Sequence, residues 1–257
     1  MNLALITLSP EGLASARALR RTMPEASLHA HRSVDAAADA EPFERVAELT
    51  RELWSQRRGL IYFAPTGAVV RAIAPCAASK YTDPAVVVCD AWGRWAVSLL
   101  SGHEGGANEL TVAVANALGA EPIITTTTEA VKDLVVGVGC RKGTSPEAIE
   151  TAIHEALLSV GKGLADVRLL ASADLKAEEP GLHEAARRLG LPLRFLPVED
   201  IRQAPSTFTR SEVAERQVEL PGVAEPSALL AGRRTRLLLP RTVLHGLTVA
   251  IAQEEHP

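Results

Sequence analysis

The stretch 59-GLIYFAPTG-67 decides the fold class, because it joins a continuous apolar run to a turn that can open a helix. A run without polar alternation is typical of a strand that is buried on both faces. Similar runs occur at 85-AVVVCD-90 and 134-LVVGVG-139, and segments with helical spacing lie between them. Strands that alternate with helices predict α/β layers with a largely parallel sheet.

The chain has 257 residues, a length that fits one large domain or two small ones. The strand and helix pattern starts again at Leu134, so we predict two α/β lobes, residues 1–130 and residues 134–257. Each lobe should hold a mostly parallel or mixed sheet flanked by helices. Residues 95–100 are predicted to form a hairpin with the strand before them, and residues 203–209 a polar loop.

Composition excludes several classes of protein. Hydrophobic residues make up 47% of the chain and charged residues 23%, which argues against disorder. The net charge of −4 and the 4% of aromatic residues argue against a nucleic-acid or membrane partner. Three cysteines without a close pair fit neither a disulfide framework nor a zinc site. No signal peptide or transmembrane run is apparent, so we expect a cytoplasmic protein.

In open α/β sheets, ligands bind beyond the carboxyl ends of the strands. Thr66 and Gly67 follow such a strand and can aim backbone N–H groups at an anion, and Arg71 can clamp a carboxylate. Lys80 and Asp83 flank the turn before the next strand. The alternative is a plain turn with an exposed arginine and a surface ion pair worth less than about 1 kcal/mol.

The richest candidate is 99-LLSGHEGGANE-109, which lies between a predicted strand and a predicted helix. His103 can give and take a proton near neutral pH, and Glu104 can orient it or act as a base. Asn108 can cap the helix or donate to an oxyanion. The alternative is a structural turn with a solvated histidine. The remaining candidate contacts of this loop are Ser101, Gly102, Gly105 and Gly106.

A further anion cradle is predicted at 137-GVGCRKGTS-145, although its glycines match neither the P-loop nor the dinucleotide-binding spacing. Its candidate residues are Gly139, Arg141, Lys142 and Gly143. Lys176 and Glu225 are weaker candidates, for which a solvated charged face is the alternative.

Several motifs taken together resemble the CbiG family of anaerobic cobalamin (vitamin B12) biosynthesis, whose members are cobalt-precorrin-5A hydrolases. The first lobe contains TGAVVRAIAP, SKYTDPAVVVCD and LLSGHEGGANEL, in this order. The second contains VVGVGCRKGTS, ADLKAEEPG, GVAEPSALL and LTVAIA. The resemblance covers nearly the whole chain, and some motifs of the second lobe are shared with a stand-alone relative from the aerobic pathway.

The resemblance implies a hydrolase that opens the δ-lactone of a cobalt-bearing tetrapyrrole and releases acetaldehyde, giving cobalt-precorrin-5B. The substrate carries the cobalt, so no cofactor or resident metal is expected. In this reaction His103 would be the base or proton shuttle, oriented by Glu104. The N–H groups of Gly105 and Gly106, with Asn108, would hold the oxyanion. Side chains that would meet the peripheral carboxylates are Arg71, Lys80, Arg141 and Lys142, with Lys176 and Glu225 as further candidates.

Two features depart from the family pattern. Members usually carry an intermediate segment between the two conserved lobes, which is absent or vestigial here because Glu129 is followed almost directly by Leu134. The usual ITTATD ending of the first lobe is ITTTTE, with Glu129 in place of an aspartate.

Two other functions remain open. A non-catalytic tetrapyrrole carrier or handover protein of the same pathway would bind the ligand without releasing acetaldehyde. An unrelated nucleotide- or phosphosugar-binding protein would use the GVGCRKGTS turn. The partners considered are the tetrapyrrole substrate, a second copy in a homodimer, and neighbouring cobalamin-pathway methyltransferases in transient contact.

Overall fold

The computed structural model describes residues 2–204 and 222–255, and it divides the chain into two compact units, Met1–Thr126 and Thr127–Pro257. Each unit has its own sheet flanked by helices, so the predicted α/β class is confirmed. Most of the loop predicted at residues 203–209 lies outside the described residues. No helix of the described ranges is long and apolar enough to cross a membrane.

The described part of the first unit holds a seven-stranded sheet with the order β3-β2-β1-β4-β5-β6-β7. Its strands are β1 (Leu3–Thr7), β2 (Ser27–His31), β3 (Glu41–Phe43), β4 (Gly59–Phe63), β5 (Ala85–Cys89), β6 (Trp95–Leu100) and β7 (Glu121–Ile123). Its helices are α1 (Pro10–Thr22), α2 (Val46–Leu53), α3 (Thr66–Ile73) and α4 (Ala107–Leu118).

Helices cover both faces of this sheet. In β1, Leu5 packs with residues of α1 and α4, whereas Ile6 packs with residues of α2 and α3. Both side chains are fully buried, as are those of the central strands, which explains their continuous apolar sequences. Strands β1 to β5 pair in parallel, but β6 runs antiparallel to β5, so the predicted hairpin is confirmed.

The described part of the second unit holds a five-stranded sheet with the order β10-β9-β8-β12-β11. Its strands are β8 (Leu134–Gly139), β9 (Val167–Ala173), β10 (Leu193–Leu196), β11 (Thr235–Leu244) and β12 (Leu247–Glu254). Its helices are α5 (Thr127–Ala130), α6 (Pro146–Ser159), α7 (Pro180–Leu189), α8 (Val198–Gln203) and α9 (Ala224–Leu230).

The second sheet is mixed, because β8, β9 and β10 are parallel and β12 is antiparallel to both β8 and β11. Helices α6 and α7 pack on one face of it. On β8, helix α9 lies directly against Gly137, where a Cβ atom would be only 1.9 Å from the Ala224 carbonyl oxygen. A glycine at this point therefore lets the helix backbone approach the strand.

Candidate functional site

Residues 101–106, which we term the His103 loop, connect the end of β6 to the start of α4. Ser101 opens the loop with a φ of 59°, and Gly106 closes it with a φ of 83°. The Ala107 N–H donates to the Ser101 carbonyl (3.1 Å), and the Asn108 N–H donates to the Gly102 carbonyl (2.9 Å). The loop therefore uses the first amide donors of α4, and these two are not available to an anion.

Ser101 lies beneath the loop. It is 5% exposed, and its buried Oγ has no hydrogen-bond partner in the described structure. A Cβ at Gly105 would lie 2.3 Å from the Ser101 Cβ, so this glycine allows the loop to close over the serine. Ser101 was predicted to contact the substrate, but its buried side chain exposes almost no surface for such a contact.

Asn108 is also buried and forms a bridge. Its Oδ1 accepts a hydrogen bond from the Ser98 hydroxyl (2.8 Å), and its Nδ2 donates to the Thr126 hydroxyl (2.9 Å). The side chain predicted as an oxyanion donor therefore connects β6, α4 and the segment after β7. Its oxyanion role stays a prediction, while the bridge is a structural fact.

His103 and Glu104 project outward from the loop. His103 is exposed and makes no hydrogen bond within the described ranges. Glu104 accepts a hydrogen bond from the Lys80 ammonium, which lowers the pKa of the Glu104 carboxyl and raises that of Lys80. No hydrogen bond joins Glu104 to His103 in the described ranges, although an electrostatic interaction with His103 also acts on the Glu104 carboxyl, so the expected orienting role stays a prediction.

Asp83 shapes the loop that presents Lys80. It is 8% exposed, and its Oδ2 accepts the N–H groups of Ala78 (2.8 Å) and Ser79 (2.9 Å). Lys80 follows at the tip, with its Nζ 5.0 Å from the centre of the exposed Tyr81 ring. Asp83 was predicted as a substrate contact, but its hydrogen bonds stabilise the loop that carries Lys80.

The sheet separates the candidate residues of the first unit between two edges. Because β6 is antiparallel to β5, Leu100 lies beside Val86, at the edge where β5 begins. Lys80 and Asp83, which precede β5, therefore share that edge with the His103 loop. Thr66 and Gly67 follow the carboxyl end of β4, beside the end of β5, at the opposite edge. A five-residue strand of roughly 16 Å lies between the two edges.

Thr66 and Gly67, which were predicted beside the other substrate contacts, therefore lie at the opposite edge of this sheet from the His103 loop. Both residues are exposed at the start of α3, where no side chain caps the helix. Arg71 is exposed further along α3, and its Nη1 donates to the Gly67 carbonyl (3.1 Å). The antiparallel direction of β6 is the reason for this separation.

In the second unit, Arg141 and Lys142 are exposed in the turn between β8 and α6. Gly143 has a φ of 77°, and its N–H donates to Glu179 Oε1 (2.8 Å). Gly139 ends β8 against β12, where a Cβ would lie 2.4 Å from the Thr248 hydroxyl oxygen, so packing alone accounts for this glycine. The turn thus presents its two cations on a fixed backbone.

Glu179 is 5% exposed and comes from the segment after β9, the parallel neighbour of β8. Lys176, in the same segment, is half-buried near Cys140. Burial raises the pKa of the Cys140 thiol, and the ammonium of Lys176 acts in the opposite direction. The segments after β8 and β9 therefore meet, as expected for carboxyl ends of neighbouring parallel strands.

Glu225 has an internal partner. It is 2% exposed, and its Oε1 accepts the backbone N–H of Arg241 (2.6 Å), which lies at a register shift of β11. Glu225 was predicted to contact the substrate, but its buried side chain exposes almost no surface for such a contact.

Three residues of these sites were not predicted: Ser98, Thr126 and Glu179. Asn108 and Thr126 are 18 residues apart, and Gly143 and Glu179 are 36 residues apart. No local spacing rule connects such pairs. A charged residue just before a predicted helix was a weak signal for Glu179, and a run of four threonines was a weak signal for Thr126.

Two family models match: Cobalamin synthesis G N-terminal over residues 48–129, and Cobalamin synthesis G C-terminus over residues 134–252. The chain is 32% identical over 239 residues to the Cobalt-precorrin-5A hydrolase of Salmonella typhimurium, covering 91% of this chain and 64% of the relative. It is 25% identical over 352 residues to the protein of the same name from Priestia megaterium, covering 97% and 94%. It is 34% identical over 128 residues to Protein CobE of a Sinorhizobium species, covering 49% and 83%.

The chain is shorter than these two hydrolases. It spans 64% of the Salmonella relative, and the alignment with the Priestia relative extends over 352 positions, whereas this chain has 257 residues. The matched family ranges leave only residues 130–133 between them. Glu129, at the end of the first range, is 9% exposed and accepts hydrogen bonds from Lys132 at 3.1 and 3.3 Å.

Proposed function

This chain belongs to the CbiG family, and we propose that it is a hydrolase that opens the δ-lactone of cobalt-precorrin-5A and releases acetaldehyde, giving cobalt-precorrin-5B. The observation that carries the proposal is the match of residues 48–129 and residues 134–252 to the two models of this family. Two relatives that bear the corresponding name support it. The exposed imidazole on a glycine-flanked loop supplies a group that such chemistry needs.

In the proposed reaction, His103 accepts a proton from the water that attacks the lactone carbonyl. The carbonyl oxygen becomes an oxyanion, for which Gly105 and Gly106 offer backbone N–H groups. Collapse of this intermediate breaks the ring C–O bond, and the leaving oxygen takes up a proton. The freed hydroxyl then loses its proton as the C–C bond breaks. The electron pair of this C–C bond passes into the conjugated macrocycle, and the two-carbon fragment departs as acetaldehyde.

Exposed cations meet the acetate and propionate groups of the substrate in this proposal. Lys80 lies at the same sheet edge as the His103 loop, and it carries a charge paired with Glu104. Arg141 and Lys142 project from their turn in the second unit, with Lys176 in the neighbouring segment. Carboxylates pair well with such side chains, above all with arginine.

Acetaldehyde release by the purified protein from cobalt-precorrin-5A, followed with a coupled alcohol dehydrogenase, tests the proposal. We expect His103→Ala to lower the rate by about 10²–10⁴-fold, the usual contribution of a general acid or base. His154→Ala is a matched control, because His154 is exposed on α6 and has no proposed role.

Full activity of His103→Ala would overturn the role of His103. Substrate binding by the wild type without any acetaldehyde release would overturn the hydrolase and favour the carrier.

The proposal also includes the location, the metal content and the protein partners of the enzyme. We propose a cytoplasmic enzyme without a resident metal, since the substrate brings the cobalt. We further propose that it forms a homodimer and contacts the neighbouring methyltransferases transiently. Elemental analysis, light scattering and cross-linking of the purified protein test these points, and stoichiometric zinc would contradict the first.

A further inference from the structure

The side chain of His103 is exposed and makes no hydrogen bond in the described structure, so the position of the imidazole depends on the shape of its loop. We infer that Thr126, acting through Asn108, is a positioning residue that holds the His103 loop in its working shape. This inference rests on the proposed function of His103. It gives Thr126, which lies outside the His103 loop, an indirect role in the reaction.

The hydroxyl of Thr126 makes the first of two contacts. It accepts the hydrogen bond from Asn108 Nδ2 (2.9 Å), while Asn108 Oδ1 accepts from Ser98 (2.8 Å). The Asn108 amide is therefore held from both sides. Because Asn108 is only 7% exposed, water cannot readily replace a lost partner.

The methyl group of Thr126 makes the second contact. A Cβ built on Gly102 would lie 2.6 Å from Thr126 Cγ2 and 2.9 Å from Asn108 Oδ1. Thr126 and Asn108 thus pack directly against the backbone of the residue that precedes His103. The Asn108 N–H also holds the Gly102 carbonyl (2.9 Å), so the same two residues fix Gly102 through packing and through a hydrogen bond.

Two substitutions separate the contacts of Thr126. Thr126→Val keeps the methyl group and the shape but removes the acceptor of Asn108, whereas Thr126→Ser keeps the hydroxyl. We expect Thr126→Val to lower kcat for acetaldehyde release about ten- to hundredfold, as for a small misplacement of a reacting group, with KM nearly unchanged. Thr126→Ser should keep a clearly higher kcat than Thr126→Val and so rescue most of the loss.

Hydrogen exchange of the full-length protein supplies a readout that does not depend on activity. Thr126→Val should accelerate hydrogen exchange in residues 101–108 and leave the exchange rates of the β-strands unchanged. Thr111→Val is the matched control, because its buried hydroxyl bonds only to the Ala107 carbonyl one turn earlier in α4. If Thr126→Val does not fold, Ser98→Ala removes the other partner of Asn108 and should act in the same direction.

Unchanged exchange in residues 101–108 of Thr126→Val would overturn the inference, as would an equal loss of kcat in Thr111→Val. If the wild type releases no acetaldehyde, the proposed function fails instead. The exchange comparison then still decides whether Thr126 holds the loop.

Discussion

At the scale of single residues, the proton transfer that we propose at the His103 loop depends on which side chains already have partners. The carboxylate of Glu104 is bound to the Lys80 ammonium, which keeps the pKa of Glu104 below its ordinary value of 4.5. A carboxylate stabilised in this way is a weaker base. The ion pair with Lys80 therefore argues against the Glu104 carboxylate as the group that takes a proton in the proposed reaction.

Another histidine makes stability depend on pH. His29 in β2 is 3% exposed, and burial lowers the pKa of its imidazole from 6.5, although the Glu41 carboxylate acts in the opposite direction. The unfolded chain therefore binds the proton more readily than the folded one. The stability that neutral His29 contributes is fully present above about pH 6.5 and is lost as the pH falls through its lower folded pKa.

The measurement is urea unfolding near pH 7.5 and near pH 5.5, on either side of the ordinary pKa of histidine. His29→Gln should lose less stability between these two conditions than the wild type does. His154→Gln, at an exposed site, should behave like the wild type. An equally large loss in His29→Gln would show that other groups cause the acid sensitivity.

At the scale of elements, the sequence predicts strands that are covered on both faces, because β4, β5 and β8 carry unbroken apolar runs. It also predicts the β5–β6 hairpin from Gly93 and the short connection. The short β3 was missed, because its three residues include Pro42 and carry no alternation. The grouping of the site was only partly predictable, since the partners of Asn108 and Glu179 come from distant segments that only the folded chain brings together.

The contact between β8 and α9 gives an element-scale prediction. Gly137→Ala would place a methyl group 1.9 Å from the Ala224 carbonyl oxygen and 2.9 Å from the Ala228 nitrogen, so helix α9 must move away from the strand. We expect a loss of about 1–3 kcal/mol in the free energy of unfolding, as for other overpacked cores.

Gly163→Ala is the matched control for this change. No atom lies within 4 Å of the place that a Cβ would take there, and the φ of −134° at this residue suits alanine. The stability of Gly163→Ala should stay within about 0.5 kcal/mol of the wild type or rise slightly. Thermal unfolding compares the stabilities of Gly137→Ala and Gly163→Ala. Equal stabilities would contradict the close approach of α9 to β8.

At the scale of the whole molecule, the net charge of −4 means that a polyacidic ligand cannot be attracted by a general positive field. The carboxylate recognition that we propose must therefore be local. Each unit offers exposed cations for this proposal: Lys80 beside the His103 loop in the first unit, and Arg141 and Lys142 in the turn after β8 in the second. Each unit thus carries exposed positive side chains on a backbone that internal hydrogen bonds hold in place.

Each unit also has hydrophobic clusters drawn only from its own residues. We therefore expect residues 1–126 and residues 127–257, produced as separate fragments, each to unfold cooperatively in urea, because each can bury its own core. All three tryptophans, Trp54, Trp92 and Trp95, lie in the first fragment. Tryptophan fluorescence of the intact chain consequently reports the first unit alone, whereas far-UV circular dichroism reports both. A gradual, non-cooperative change in either fragment would show that its core is insufficient without the rest of the chain.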